Sequence, residues 1–169
     1  MAKIPINQTA LPRWGLAIGL LLMAGCSSTP DKPAVSSAHP AVVSYALSLK
    51  GTPYRWGKAS PSEGFDCSGF VQHVYGKHGV RLPRTTKEIA HALPSVDKNQ
   101  RRPGDLLFFN TSGKPFSHVG IYVGHDSFVH APSSHTGRVI VSSLDRHYWW
   151  QRLIGVRRPA VSEHFLSGR

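Results

Sequence analysis

One cysteine and two histidines are the residues of this sequence best suited to nucleophilic chemistry. Cys67 stands in Asp66-Cys67-Ser68-Gly69-Phe70, where an apolar helical period begins and runs through Phe70, Val71, Val74 and Tyr75 to Lys77. A thiol at a helix start meets unpaired backbone N–H groups and the positive end of the helix dipole, and both favour the thiolate. Cys67 shares a face with Phe70, Val71 and Val74, so its side chain is expected to point at whatever the helix packs on. An inert buried cysteine would occupy the same place, and position alone does not separate the two.

His118 and His130 are the candidates to receive the proton of Cys67. In His118–Val123, strand alternation puts His118, Gly120 and Tyr122 on one face and Val119, Ile121 and Val123 on the other. Reading Gly124-His125-Asp126 as a three-residue hairpin loop pairs Val123 with Ser127 and sets His118 opposite Pro132. His130 then lies diagonal to His118 on the same face, about 7–8 Å away by Cα. One imidazole can take the proton while the other fixes its tautomer and orientation, as in triads on unrelated folds. A one-residue slip would part the two rings. A zinc site of Cys67, His118 and His130 is the metal alternative, but the chain lacks the closely spaced His/Cys pairs of usual zinc motifs, so no metal is expected. The remaining histidines are expected to be solvated, His73, His78 and His91 on helix surfaces and His39, His125, His135, His147 and His164 in loops.

The elements that must position these residues follow from periodicity. Val42, Val43, Ala46, Leu47 and Leu49 repeat at helical spacing up to a stop at Gly51-Thr52-Pro53. A turn-rich segment reaches Gly64, then come the helix from Ser68 to Lys77 and a shorter one from Thr85 to Leu93. Beyond these the period changes: Asp105–Phe109, His118–Val123, Ser127–Ala131 and Arg138–Ser142 are short β-branched or aromatic runs bounded by turn residues. Their short connections favour antiparallel neighbours. Helices first and antiparallel strands after make an α+β domain. The 169 residues suit one domain, and an apolar share of 40% excludes wholesale disorder.

The beginning of the chain sets the compartment. Lys3 and Arg13 precede an apolar run from Trp14 to Ala24, too short to span a ~30 Å hydrocarbon core but suited to a signal peptide. The run ends in Leu22-Met23-Ala24-Gly25-Cys26, similar to a bacterial lipobox, and the following Ser27 resembles an outer-membrane sorting signal. The expected organisation is a leader over 1–25, a lipidated Cys26 and flexible tether over 26–38, a globular domain over 39–160 and a tail over 161–169. Such a chain would be anchored in the outer membrane of a Gram-negative envelope and face the periplasm. Losing Lys3 and Arg13 with the leader lowers the formal charge from +11 to +9. Export argues against nucleic acid as the anionic partner and leaves lipid headgroups and the cell-wall polymer. With Cys26 lipidated, Cys67 is a free thiol, or one paired between molecules, in an oxidising compartment.

Four motifs in register carry a resemblance. DCSGF at Asp66–Phe70, GDLLFF at Gly104–Phe109, SHVGIYVG at Ser117–Gly124 and FVHA at Phe128–Ala131 together resemble the NlpC family of cell-wall cysteine peptidases, over about residues 39–158. LPRT at Leu82–Thr85 and the stretch Ser142–Trp149 are most similar to its Gram-negative lipoprotein members. The resemblance implies a papain-like α+β fold, with N-terminal helices, the nucleophile at a helix start, packed on an antiparallel sheet. It implies Cys67 as nucleophile, His118 as general base and His130 as the orienting third residue. Tyr54 would add its hydroxyl to the Cys67 backbone N–H at the oxyanion, and Asp66 and Ser68 would bind charged or polar ends of the substrate. Arg84 and Arg55 are weaker substrate-binding candidates, for which a solvated surface arginine is the default. Lys58 departs from the family's usual second glycine after Trp56-Gly57.

The implied activity is hydrolysis of a peptidoglycan stem-peptide bond at diaminopimelate, either D-Ala–diaminopimelate across a cross-link or γ-D-Glu–diaminopimelate within one stem. The Cys67 thiolate would attack, His118 would protonate the leaving amine, and water would hydrolyse the thioester. A monomer without metal or organic cofactor suffices. The rival readings are a non-catalytic peptidoglycan-binding lipoprotein and an acyltransferase using the same chemistry on lipid.

Overall fold

The computed structural model describes residues 40–161. The expected leader, the lipidation site at Cys26, the tether and all but the first residue of the expected tail lie outside the described residues. Helix α1 (Pro40–Ser48) buries Val42 and Ala46, and its exit is fixed where the Gly51 N–H donates to the Val139 carbonyl at 3.0 Å. Strands β1 (Ala59–Ser60) and β2 (Gly64–Phe65) form a small antiparallel ribbon inside the segment read as turn-rich. Helix α2 (Cys67–Lys77) follows at once, and Phe70, Val71, Val74 and Tyr75 are all fully buried, as the stripe requires. Helix α3 (Thr86–Ala92) opens on a capping box in which Thr85 and Glu88 satisfy each other's backbone N–H groups. No helix among the described residues is long and apolar enough to cross a membrane.

The second half is one antiparallel sheet. Its strands are β3 (Ser95–Val96), β4 (Leu106–Phe109), β5 (His118–Gly124), β6 (Ser127–His130), β7 (Ile140–Ser143) and β8 (Leu153–Arg157), in the spatial order β3-β8-β4-β5-β6-β7. A short helix, α4 (His147–Arg152), links β7 to β8. One face of the sheet sets Leu106, Phe108, Val119, Ile121 and Val129 against α1 and α2. The other sets Leu107, Phe109, Tyr122, Phe128 and Val156 beneath Trp149 of α4. β4 is therefore buried on both faces, which is why Leu106–Phe109 is a continuous apolar run instead of an alternating one. Each of these side chains contributes about 1.5–3 kcal/mol by burial.

The strand β8 has no counterpart in the periodicity. Leu153 pairs Phe109 and Gly155 pairs Phe108, so the register shifts past Ile154, and the irregularity erases the two-residue alternation. The β5–β6 hairpin also differs from expectation near its tip. Ile121 pairs Val129 and Tyr122 pairs Phe128 as read, but Gly124 then pairs Ser127, which bulges Val123 out. The loop is thus the two residues His125 and Asp126, both left-handed at φ +47° and +49°, as a primed hairpin turn demands. Because the shift lies beyond Tyr122, it leaves the relation of His118 to His130 intact.

Candidate active site

Cys67 is the first residue of α2, and Asp66 caps that helix by accepting the Gly69 N–H at 2.7 Å. Gly69 is required there, since a Cβ would stand 2.2 Å from the Lys58 carbonyl oxygen. The half-buried Cys67 thiol lies 3.7 Å from the Thr86 hydroxyl, and the backbone N–H groups of Val119 and Ser68 bond it. The helix therefore delivers the sulfur to the opening residues of β5, beyond the last β5–β6 pair. Burial pushes the thiol up; the bonds from Thr86, Val119 and Ser68 pull the other way but do not outweigh it, and the charge of Asp66 adds to the rise. The expectation of a lowered, thiolate-forming cysteine is corrected: the resting group is a protonated thiol at neutral pH.

The two histidines share the sheet face that carries Trp149, not the face that α2 covers. His118 Nε2 lies 2.7 Å from His130 Nδ1, and His130 Nε2 lies 2.9 Å from the Ser142 hydroxyl on β7. Gly120 makes this approach possible, because a Cβ there would meet the Phe128 ring at 2.7 Å and the His130 Cβ at 3.1 Å. The Trp149 ring lies 5.6 Å from His118 and 4.9 Å from His130, edge-on to the latter. Burial alone lowers His118 to about 4, and burial together with the neighbouring His118 lowers His130 well below the usual imidazole value. Both rings are therefore neutral at physiological pH, and every ring nitrogen except His118 Nδ1 has a partner among these three residues.

On the other side of the thiol a charged network forms the cleft wall. Asp66 accepts Arg84 Nη2 at 2.6 Å, Arg84 Nη1 at 3.0 Å and the Gly57 N–H at 2.9 Å, and Arg84 Nη1 also donates to the Ser68 hydroxyl at 2.9 Å. Burial pushes the Asp66 carboxyl up, but Arg84 and the Gly69 and Gly57 N–H groups together hold it below the usual carboxylate range. Arg84 is thus no solvated surface arginine; it is tied to two of the expected site residues. Arg55 is exposed as expected, and Lys58 turns away to pair Glu63 at 2.5 Å on the ribbon. Tyr54 is half-buried near Cys67 and Asp66: burial first, then its proximity to those two groups, raises its hydroxyl.

Of the histidines expected in solvent, His91, His125, His135 and His147 are exposed. His73 and His78 are not: His73 bonds the Tyr45 hydroxyl at 2.8 Å, His78 packs edge-on to the same ring, and burial lowers both. His39 and His164 lie outside the described residues. No group of three His, Cys, Asp or Glu side chains among the described residues is arranged to hold a metal ion. Sequence reasoning passed over Thr86, Ser142 and Trp149 as members of the site, and Ser142 is the one with a signal, standing in a β run that must neighbour β6. The cleft itself holds about 360 Å³ and is walled by Trp56, Asp66, Cys67, Ser68, Arg84 and Ser117.

The chain is similar to known proteins over most of its length. A model of the NlpC/P60 family matches residues 51–158. The murein DD-endopeptidase MepH of Escherichia coli is 38% identical over 141 residues, which are 80% of this chain and 51% of MepH. The probable endopeptidase NlpC of Escherichia coli is 38% identical over 151 residues, 85% of this chain and 96% of that protein. The chain therefore spans about half of MepH and nearly all of NlpC. Among solved structures, an NlpC/P60 family protein from Bacillus cereus superposes with a TM-score of 0.66 at 30% identity, covering 71% of this chain and 39% of that one. Helices on an antiparallel sheet, a thiol at a helix start and a match over most of the chain lead to one conclusion: this protein belongs to the NlpC/P60 family.

Proposed function

We propose that the chain is a peptidoglycan endopeptidase that hydrolyses a stem-peptide amide at diaminopimelate, with Cys67 as nucleophile, His118 as general base and His130 as its orienting partner. The bond is D-Ala–diaminopimelate across a cross-link or γ-D-Glu–diaminopimelate within one stem. The observation that best supports this reading is the buried, neutral chain His118–His130–Ser142 set at the β5 opening where the Cys67 thiol lies. Its proton positions follow. For His118 Nδ1 to accept a proton, His118 Nε2–H donates to His130 Nδ1, and His130 Nε2–H donates to the Ser142 oxygen.

As the Cys67 sulfur attacks the carbonyl carbon, its proton passes to His118 Nδ1. Breakdown of the adduct returns that proton to the leaving amine and leaves a thioester. Water then adds to the thioester with His118 again taking the proton, and collapse releases the carboxylic acid and restores the thiol. The Cys67 backbone N–H, free of the helix ladder at its first residue, and the Tyr54 hydroxyl stabilise the oxyanion. Asp66 and Ser68, joined to Arg84, present a polar wall to the substrate's charged ends. Lipidation at Cys26 holds the enzyme in the outer membrane facing the periplasm, and a Cys26→Ser copy that still incorporates labelled palmitate would remove that part of the proposal.

The direct experiment incubates peptidoglycan sacculi with the full-length protein and with Cys67→Ala, and identifies released muropeptides by mass spectrometry. Loss of cross-linked dimers with the unaltered protein alone assigns the D-Ala–diaminopimelate bond, and stems shortened to Ala-Glu assign the γ-D-Glu bond. Sacculi left intact by both proteins, yet bound by both, overturn the enzyme and leave a peptidoglycan-binding module.

A further inference from the structure

The cleft does not end at Cys67. Trp56 and Ser117, which wall it, also wall a second and wider groove of about 910 Å³ that passes over Pro115 and Phe116. The charged side chains lining that groove are the exposed lysines Lys87 of α3 and Lys114 of the β4–β5 loop, and the exposed His91 of α3 lies beside them. Among the described residues no Asp or Glu lines it. Trp56, at the junction of the two grooves, is 84% exposed, an unusual setting for the largest apolar side chain and one that marks a binding surface. Phe116 holds a left-handed backbone at φ +56°, and its ring is set against Phe108 at 5.9 Å and His91 at 5.6 Å. A strained non-glycine residue one position before the cleft residue Ser117 is the kind of outlier that accompanies a built ligand surface.

We propose that this groove is a subsite for the carboxylate-bearing part of the peptide substrate on the Trp56 side of the scissile bond. Lys87 and Lys114 pair the carboxylates, and Trp56 and Phe116 cover the aliphatic parts. The inference rests on the endopeptidase reading above and deepens it. Stem peptides supply the matching chemistry: a γ-linked D-Glu keeps its α-carboxylate free, diaminopimelate carries a second carboxylate beside a run of methylenes, and a terminal D-Ala ends in another. Exposed lysines that meet these groups before and during the reaction act on binding, and so on KM more than on kcat.

The test compares full-length protein with Lys87→Glu/Lys114→Glu and Lys87→Arg/Lys114→Arg on a soluble cross-linked muropeptide, with its carboxylates free or amidated, at low salt. Charge reversal raises KM about fivefold or more with kcat within about twofold, the size expected when two exposed pairs turn repulsive. The arginine pair behaves as the unaltered protein does. Amidation raises the unaltered protein's KM by a similar factor and adds nothing to the reversed variant. Calorimetry of the free-carboxylate muropeptide on Cys67→Ala, with and without the reversal, shows the same loss in Kd. An unchanged KM in the reversed variant, with the unaltered protein hydrolysing the muropeptide, overturns the subsite and leaves the enzyme standing. An unaltered protein that leaves every muropeptide intact overturns the endopeptidase reading and this inference together.

Discussion

Two polar networks meet near Cys67, and they are built on opposite principles. The clamp of Asp66, Arg84 and Ser68 is charged, and the carboxylate is supported by a guanidinium and two backbone N–H groups. The chain of His118, His130 and Ser142 is neutral, enclosed by Phe109, Phe128 and Trp149. A buried carboxylate stays ionised only when cations and N–H donors offset its desolvation, so the clamp is fixed in one protonation state. A buried imidazole pair avoids that cost by giving up its charge. Neutrality leaves His118 Nδ1 with a lone pair, which is what a proton acceptor needs. In the proposed mechanism the contrast divides the work at Cys67: one network holds the helix start and cleft wall in place, the other receives a proton.

Variants can separate those two roles. The largest effect falls on the neutral chain: His118→Asn should lower kcat/KM by about 10²–10⁴, the usual weight of a general base, with little change in the thermal midpoint. A His118→Asn protein that hydrolyses muropeptides at the normal rate would end the proton-acceptor role. Next comes the clamp. Arg84→Ala leaves the carboxylate of Asp66, itself only 5% exposed, without its cation, and should cost about 1–3 kcal/mol in urea unfolding. The lower end is favoured because the Arg84 side chain is itself 38% exposed. Because Asp66 sits below its usual value in the folded state, the clamp's stabilisation is present above the unfolded carboxylate pKa and is lost as pH falls through the folded one. The gap between the two proteins should therefore close in acid. The smallest effect is Ser142→Ala, which removes one hydrogen bond from His130 and should lower kcat about three- to tenfold with KM unchanged. Equal losses of stability and rate in this variant would make Ser142 a packing residue instead.

Much of this site could be read before any coordinates. The alternation of His118, Gly120 and Tyr122 and the spacing to Ser127 were enough to bring His130 beside His118, because a hairpin's register is a local property that strand period and loop length determine. The loop tip was misread because a bulge at Val123 trades one loop residue for one strand residue without changing the count. Arg84 was misjudged for a different reason: it lies 18 residues from Asp66, and no sequence period relates a loop arginine to a helix cap. Trp149 enters the site only through α4, whose place depends on how the sheet closes. The thiol's environment was inverted for the same reason. A helix N-terminus can be read from sequence, but the burial that outweighs it depends on how the rest of the chain packs around Cys67.

The central claim is that a neutral His118, held by His130, takes the proton of a protonated Cys67. The pH dependence of kcat/KM on a soluble cross-linked muropeptide tests it most directly. His118 accepts a proton only while it is neutral, and burial lowers its folded value to about 4. Activity should therefore persist on acidification well below pH 6 and fall away with a midpoint near that value, with the neutral region flat. An acid limb centred at or above the ordinary imidazole value of about 6.5 would mean that His118 is charged in the resting enzyme, and would contradict the account.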